Sequence, residues 1–393
     1  MLNLKNDKND YYRAVTRLLL NALRFRYVKL TGATEKPTVV SLALTNRCNS
    51  HCIMCNIWKR AGEQPDIKSL EIPPNEIIDI LSRPMFSELV ELDLTGGETH
   101  LRDDLVDIAL GAGGLKNSYL PKLRSIIIAS NGLLPTRIIS NYQKILDGLK
   151  GTGIDLISVN SLDGIGETHD VVRGTRGAFD MVTRTISGLM ALRKEYPNFF
   201  TGVKTTILPH NIDMLDAVLG FALEKNLFHI ISPVFFTEAR FRNTDKTDKL
   251  ALNPAEYEKI LKFLNRQELV TNYFYSRARR FLTTQRKPWV CTALHNYLYI
   301  DFDGQVYPCE LISEPIGDVR KQGIEDIWHS SLVHHWRNKI GKLECCHRCA
   351  EPGAIRYSAY AEGFSYLRFL LELGKRKFSE TLDGEGFSKY FNS

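Results

Sequence analysis

The chain of 393 residues has no cysteine to spare: all eight fall into two groups, Cys48, Cys52 and Cys55, then Cys291, Cys309, Cys345, Cys346 and Cys349. That grouping argues against incidental core thiols. A disulfide framework is also excluded, because a chain this long can bury a sizeable core without one. No apolar run approaches the ~20 residues of a membrane-spanning helix. The first ten residues are polar and lack the apolar core and small-residue cleavage site of a secretory signal. The formal net charge of +6 is too small to indicate nucleic-acid binding, and no nucleic-acid partner is expected. There is no internal repeat and no low-complexity segment. With 44% hydrophobic and 24% charged residues, the composition is that of a soluble globular protein. Its length suggests about two or three domains. Reduced cysteines in this number imply a reducing cytoplasm, so a cytoplasmic location is expected.

What is present begins with alternation. Between residues 36 and 236, short β-rich runs (Thr38–Leu44, Leu89–Thr95, Leu123–Ala129, Ile154–Val159, Gly202–Leu208 and Phe228–Phe236) alternate with helical patterns near 75–83, 103–112, 135–149, 178–195 and 211–225. Several runs are almost wholly apolar, as in Ser125-Ile-Ile-Ile-Ala129, which suits parallel strands covered on both faces. Six such units predict an α/β fold, a partial (β/α)6 TIM-like barrel, with chemistry at the carboxyl ends of the strands. Residues 237–285 turn polar and basic, with a predicted helix at 254–267. They read as a connector that covers the barrel mouth. Residues 286–352 hold the second cysteine group and two short strands, Tyr297–Asp301 and Gln305–Tyr307, around Asp303-Gly304, a hairpin-turn pair. Residues 1–35 form an amphipathic helical segment and residues 353–393 a helical, aromatic tail.

The first cysteine group reads Cys48-Asn-Ser-His-Cys52-Ile-Met-Cys55. It directly follows the first predicted strand, on the face where such folds place their chemistry. Three thiolates in one tight loop fill three corners of a [4Fe–4S] cube and leave one iron open. Zinc is the competing reading, but structural zinc favours paired C-x2-C knuckles, and His51 lies inside the loop. After the second strand comes Thr95-Gly96-Gly97-Glu98. Alone this is an ordinary strand-to-helix turn. Behind a three-cysteine loop it resembles the GGE motif of the radical S-adenosylmethionine (SAM) superfamily, as C-x3-C-x2-C resembles that superfamily's cluster loop.

The resemblance covers residues 38–236, about half of the chain, and implies a set of roles. A [4Fe–4S] cluster held by Cys48, Cys52 and Cys55 would bind SAM. Glu98, with Gly96 and Gly97, would meet the SAM amino group; Thr99 stands where the family usually has proline. Met54, before the third cysteine, would touch adenine. Ser161, ending strand four, and Arg173 would contact the ribose and carboxylate. Ser130 and Asn131, ending strand three, are further cofactor-binding candidates, although Asn131-Gly132 is also an ordinary turn. Glu238 and Arg240, beyond strand six, are pocket candidates, with a surface connector as the equally good alternative.

The second group combines Cys291 and Cys309, which flank the hairpin, with Cys345, Cys346 and Cys349. Four thiolates with one C-x2-C pair also suit tetrahedral zinc. Gly304-Gln-Val-Tyr-Pro-Cys309 and Gly317-Asp-Val-Arg320, followed by Ile327-Trp328, resemble the SPASM or shorter twitch extension of the same superfamily. That resemblance implies one auxiliary [4Fe–4S] cluster on Cys291, Cys309, Cys346 and Cys349, with Cys345 spare; Cys345 in place of Cys346 is the alternative, but only Cys346 makes C-x2-C with Cys349.

Together the resemblances imply a radical SAM oxidoreductase. It would abstract hydrogen from an unactivated C–H bond of a carbohydrate-like or other small molecule, with an electron donor such as flavodoxin or ferredoxin as partner. The alternatives are crosslinking or epimerisation of a ribosomal peptide, a lipid or lipid-linked substrate, and a non-enzymatic zinc-stabilised binding protein. Tyr11–Leu30 and Tyr357–Phe378 are basic and amphipathic. Packing on the barrel is the plain reading of both; peripheral contact with a membrane is the sharper one.

Overall fold

The fold is that of a computed structural model that describes residues 8–387, so positions 1–7 and 388–393 of the expected terminal segments lie outside the described residues. Six strands, β1 (Val39–Thr45), β2 (Glu91–Gly96), β3 (Ser125–Ser130), β4 (Asp155–Ser161), β5 (Phe199–Ile207) and β6 (Phe228–Pro233), pair in parallel with their sequence neighbours. The helices return the chain after each strand. After α1 (Lys8–Thr31) they are α2 (Pro74–Leu81), α3 (Leu105–Gly114), α4 (Pro135–Gly148), α5 (Glu167–Arg173), α6 (Ala178–Glu195) and α7 (Leu215–Glu224). Proline begins α2 and α4, where its missing N–H costs nothing. The outward rows of the strands, including Leu92, Leu94, Ile126, Ile128 and Leu156, are buried under these helices.

The sequence reading placed strand five at Gly202, but it begins three residues earlier, at Phe199. It placed the end of strand six at Phe236, but pairing stops at Pro233. Proline has no N–H to donate, so it suits a strand terminus.

The second cysteine region does not form a separate layer. Its hairpin, β7 (Tyr297–Ile300) and β8 (Gln305–Tyr307), turns at Asp303-Gly304 as expected, and β7 then pairs in parallel with β1. A short β9 (Gly317–Asp318) completes one nine-stranded sheet, ordered β6-β5-β4-β3-β2-β1-β7-β8-β9. The open edge of the half-barrel is thus covered by the chain's own later strands.

The connector is less polar in space than in sequence. Its helices α8 (Pro254–Leu264) and α9 (Tyr273–Thr284) bury Ile260, Phe263, Tyr275 and Phe281. They share a second core with the tail helices α10 (Pro352–Glu362), α11 (Phe364–Glu372) and α12 (Lys375–Gly384) and with Ala14 and Leu18 of α1. Arg356 of α10 pairs with Glu91, the first residue of β2, and Asn296 donates to the Tyr357 carbonyl at 3.2 Å. These contacts put the tail at the amino ends of the strands, opposite the Cys48–Cys55 loop.

Candidate active site

The loop after β1 is held by backbone on two sides. His51 N–H donates to the Arg173 carbonyl (3.1 Å) and Ile53 N–H to that of Val172 (3.0 Å). Across from them, Gly97 N–H donates to the Thr45 carbonyl (2.7 Å) and Glu98 N–H to that of Arg47 (2.9 Å). This close approach explains the glycine pair. A Cβ on Gly96 would stand 2.3 Å from the Thr45 carbonyl oxygen, and one on Gly97 2.3 Å from that of Arg47. The sequence reading assigned the glycines to contact with a ligand, but they first admit the backbone of the cysteine loop itself.

Glu98 is fully buried, and its carboxylate accepts from His100 N–H (3.0 Å), Ser130 Oγ (3.0 Å) and Asn131 N–H (2.7 Å). Burial pushes its acid up to about 7, against those three hydrogen bonds. Ser130 also accepts from Gly132 N–H. Asn131 donates to Asn49 Oδ1 at 2.8 Å and reaches Cys48 Sγ at 3.7 Å. Glu98, Ser130 and Asn131 therefore form one network against the cysteine loop.

Arg173 is buried with Nη2 2.5 Å from Asp163 and Nη1 3.5 Å from Cys52 Sγ, while its Nε has no hydrogen-bond partner among the described residues. Ser161 ends β4 beside Lys204 of β5 and is half-buried. Met54 is buried with Cys52, Val172, Leu208 and Leu250 in an apolar collar round the loop.

Two contributions were missed from sequence. Residues 237–246 strap the loop down. Asn243 Nδ2 donates to the Met54 carbonyl (2.7 Å) and to that of Phe235 (2.8 Å), and Lys246 Nζ donates to the Cys55 carbonyl (3.1 Å). A polar connector gives no such signal, because the contacts are to backbone atoms. The second is Asp93, on β2 beside Ser41 of β1 (2.7 Å), whose acid is pushed up to about 6 by burial.

Of the two pocket candidates, Arg240 is brought in and Glu238 is not. Glu238 is exposed and accepts from Thr244 Oγ1, a surface position. Arg240 pairs with Glu310, donates to Thr95 Oγ1 at 2.5 Å and reaches the Gly96 carbonyl at 3.5 Å. It thus ties the Gly96-Gly97-Glu98 strand end to the residue that follows Cys309.

Cys291, Cys309, Cys345, Cys346 and Cys349 line one cavity together with Glu310 and Tyr297. The Cys291, Cys346 and Cys349 thiols lie near enough to act electrostatically on that of Cys309, although among the described residues no three His, Cys, Asp or Glu side chains are grouped to hold a single metal ion. Cys346 and Cys349 are buried and Cys345 is exposed. The hydrogen bond from the Cys345 thiol is the first cause that pulls Cys346 below the usual thiol range. Cys345→Ala is therefore expected to retain about eight irons per chain, and Cys346→Ala to lose up to four. Iron and sulfide counting on anaerobically purified variants distinguishes them, and the reverse result would exchange the two assignments.

The donor sets fit iron–sulfur clusters. Burial first, and then the neighbouring Cys52 charge, pushes Cys48 up to about 12 and Cys55 up to about 11. Thiols crowded in this way become thiolates readily only beside a cationic centre.

Residues 42–222 match the model of the radical SAM superfamily, and residues 291–350 that of the SPASM iron–sulfur cluster-binding domain. The chain thus carries a radical SAM domain followed by a SPASM domain, with SAM and iron–sulfur clusters as cofactors. It is 26% identical over 369 residues to an AdoMet-dependent heme synthase of Methanosarcina barkeri, covering 86% of this chain and 96% of that one. It is 23% identical over 320 residues to the sporulation killing factor maturation protein SkfB of Bacillus subtilis, 79% of this chain and 69% of that one. Among solved structures, anSMEcpe with bound AdoMet superposes with a TM-score of 0.57 at 16% identity, covering 89% and 99% of the two chains. Streptococcus suis SuiB bound to S-adenosylmethionine gives 0.56 at 13%, covering 90% and 78%. These structures share the fold.

Proposed function

We propose that this radical SAM enzyme oxidises a small polar molecule held in the half-barrel between the two cysteine groups. The observation that carries the reading is the Arg240 bridge. One guanidinium touches Thr95 and Gly96, at the SAM side, and Glu310, which lines the second cysteine cavity. When bound, the first cluster would supply the electron that cleaves SAM to a 5′-deoxyadenosyl radical, which would take one hydrogen atom from the substrate, and the all-cysteine second cluster would accept one electron from the resulting substrate radical as it loses a proton.

The chain's own residues would bind and orient. Val203 of β5 is buried under the helices, so Lys204 next to it faces the opposite side of the sheet. Lys204, Asp93 and Arg240 then offer charges of both signs to a polar substrate. The apolar collar around Met54 and Leu208 excludes water from the cysteine loop. Likeness over most of its length to a protein named a heme synthase supports a small-molecule substrate. Peptide modification is the second reading, favoured by the likeness to SkfB.

The test is Arg240→Gln. Both clusters and SAM binding are expected to persist, with substrate oxidation per SAM cleaved reduced at least tenfold, about 1.4 kcal/mol. Small-molecule extracts and peptide libraries would be assayed in parallel by mass spectrometry. A two-hydrogen mass loss confined to a peptide would replace the first reading by the second. An unchanged ratio of product to 5′-deoxyadenosine would remove Arg240 from the path.

A further inference from the structure

The first helix has two apolar faces. One, formed by Ala14, Leu18, Ala22, Phe25 and Val28, is buried. The other, Tyr12, Leu19, Leu20, Leu23, Tyr27 and Leu30, is exposed, with Leu23 at 63%, Tyr27 at 62% and Leu30 at 87%. At 3.6 residues per turn these six fall within one arc of about 100°, opposite the buried line. Arg26 borders the arc on one side, and Arg13, Arg17 and Arg24 on the other. Over its length α1 carries six Lys and Arg and one Asp. The surface continues onto the neighbouring tail helices. Phe364 and Leu371 of α11 are about half exposed, Arg26 lies over the Phe364 ring at 5.5 Å, and Lys375 of α12 lies 5.3 Å from the Tyr11 ring.

We infer that this face docks the enzyme on an anionic lipid bilayer. An apolar stripe of leucines and tyrosines with arginines on both flanks is the arrangement of a helix lying in the membrane interface. Arg24 is already paired with Glu35; each of the other flanking cations adds attraction to acidic headgroups. A second copy is a poorer occupant. Self-complementary pairing sets the same patch against itself, so two strongly basic helices would bring arginine beside arginine. The face belongs to the amino ends of the strands, where α10 meets Glu91, so docking leaves the cysteine-loop mouth pointing away from the lipid. No helix among the described residues is long and apolar enough to cross a membrane, and the contact is peripheral. The inference does not depend on the substrate.

The full-length protein with both clusters would be sedimented with phosphatidylcholine vesicles and with vesicles containing phosphatidylglycerol. Binding is expected to the second kind only and to weaken as salt rises. Leu23→Ser combined with Leu30→Ser should weaken it at least tenfold, and Arg13→Gln and Arg26→Gln about fivefold each. Circular dichroism and the visible cluster absorption of the variants should not change. Absence of binding, equal binding to both vesicles, or full binding by the leucine variant would each overturn the inference. A dimer dispersed by the leucine changes would assign the face to a second copy and overturn it as well.

Discussion

Replacing Cys48, Cys52 and Cys55 together with alanine is expected to abolish SAM cleavage and to lower the iron content from about eight to about four per chain. The three thiols are the only cysteines on the β1 loop, and the other five line a separate cavity. The supports of the two sites also differ. The loop hangs from Arg173, Val172, Asn243 and Lys246. The second group is built on the flanks of β7 and β8, which belong to the sheet, and on the segment leading into α10. Removing the three thiols of the loop should not unpair β7 from β1. The readouts are iron and sulfide counting, with 5′-deoxyadenosine measured after reduction with dithionite. Loss of all iron from the triple variant would mean that the sites are not independent.

Glu98→Ala should lower SAM affinity at least tenfold while leaving about eight irons. The sequence motif suggested a carboxylate offered directly to the SAM amino group. The structure shows the same carboxylate engaged by His100 N–H, Ser130 Oγ and Asn131 N–H. Its removal leaves three buried donors without an acceptor, at a cost of about 1–3 kcal/mol for each that finds no water. The strain falls on the β2 and β3 loops that border the cofactor site, whereas the cysteines keep their own backbone supports. Glu98→Gln should be milder, because its carbonyl still accepts while its amide meets one N–H head-on. Equilibrium dialysis of SAM against the wild type and both variants measures the order. Equal affinity in all three would remove Glu98 from the cofactor site.

The first cysteine loop and Gly96-Gly97-Glu98 could be read from the chain because both are local. Ligands separated by three and two residues can share a centre wherever the loop lies. Strand and helix alternation was legible for the same reason: Ser125-Ile-Ile-Ile-Ala129 must be buried on both faces, and only a covered parallel strand accommodates it. Ends were less legible. Phe199–Thr201 extends β5 by pairing with β4, and no propensity in three residues reports a partner from another part of the chain.

Local chemistry in the sequence by itself determined that this protein has a parallel α/β core, two thiol groups and a strand-end motif for a cofactor. Tertiary structure alone decided that β7 would close the edge of β1, that Asn243 and Lys246 would clamp the cysteine loop, and that Arg240 rather than Glu238 would turn inward. It also decided which face of α1 is covered. That helix carries apolar residues on two opposite faces, and only the position of α10 and α11 separates the buried row from the exposed one. The physical reason is common to all four: each depends on a backbone carbonyl, a strand edge or a helix surface contributed from far along the chain, and such groups have no residue-type signature.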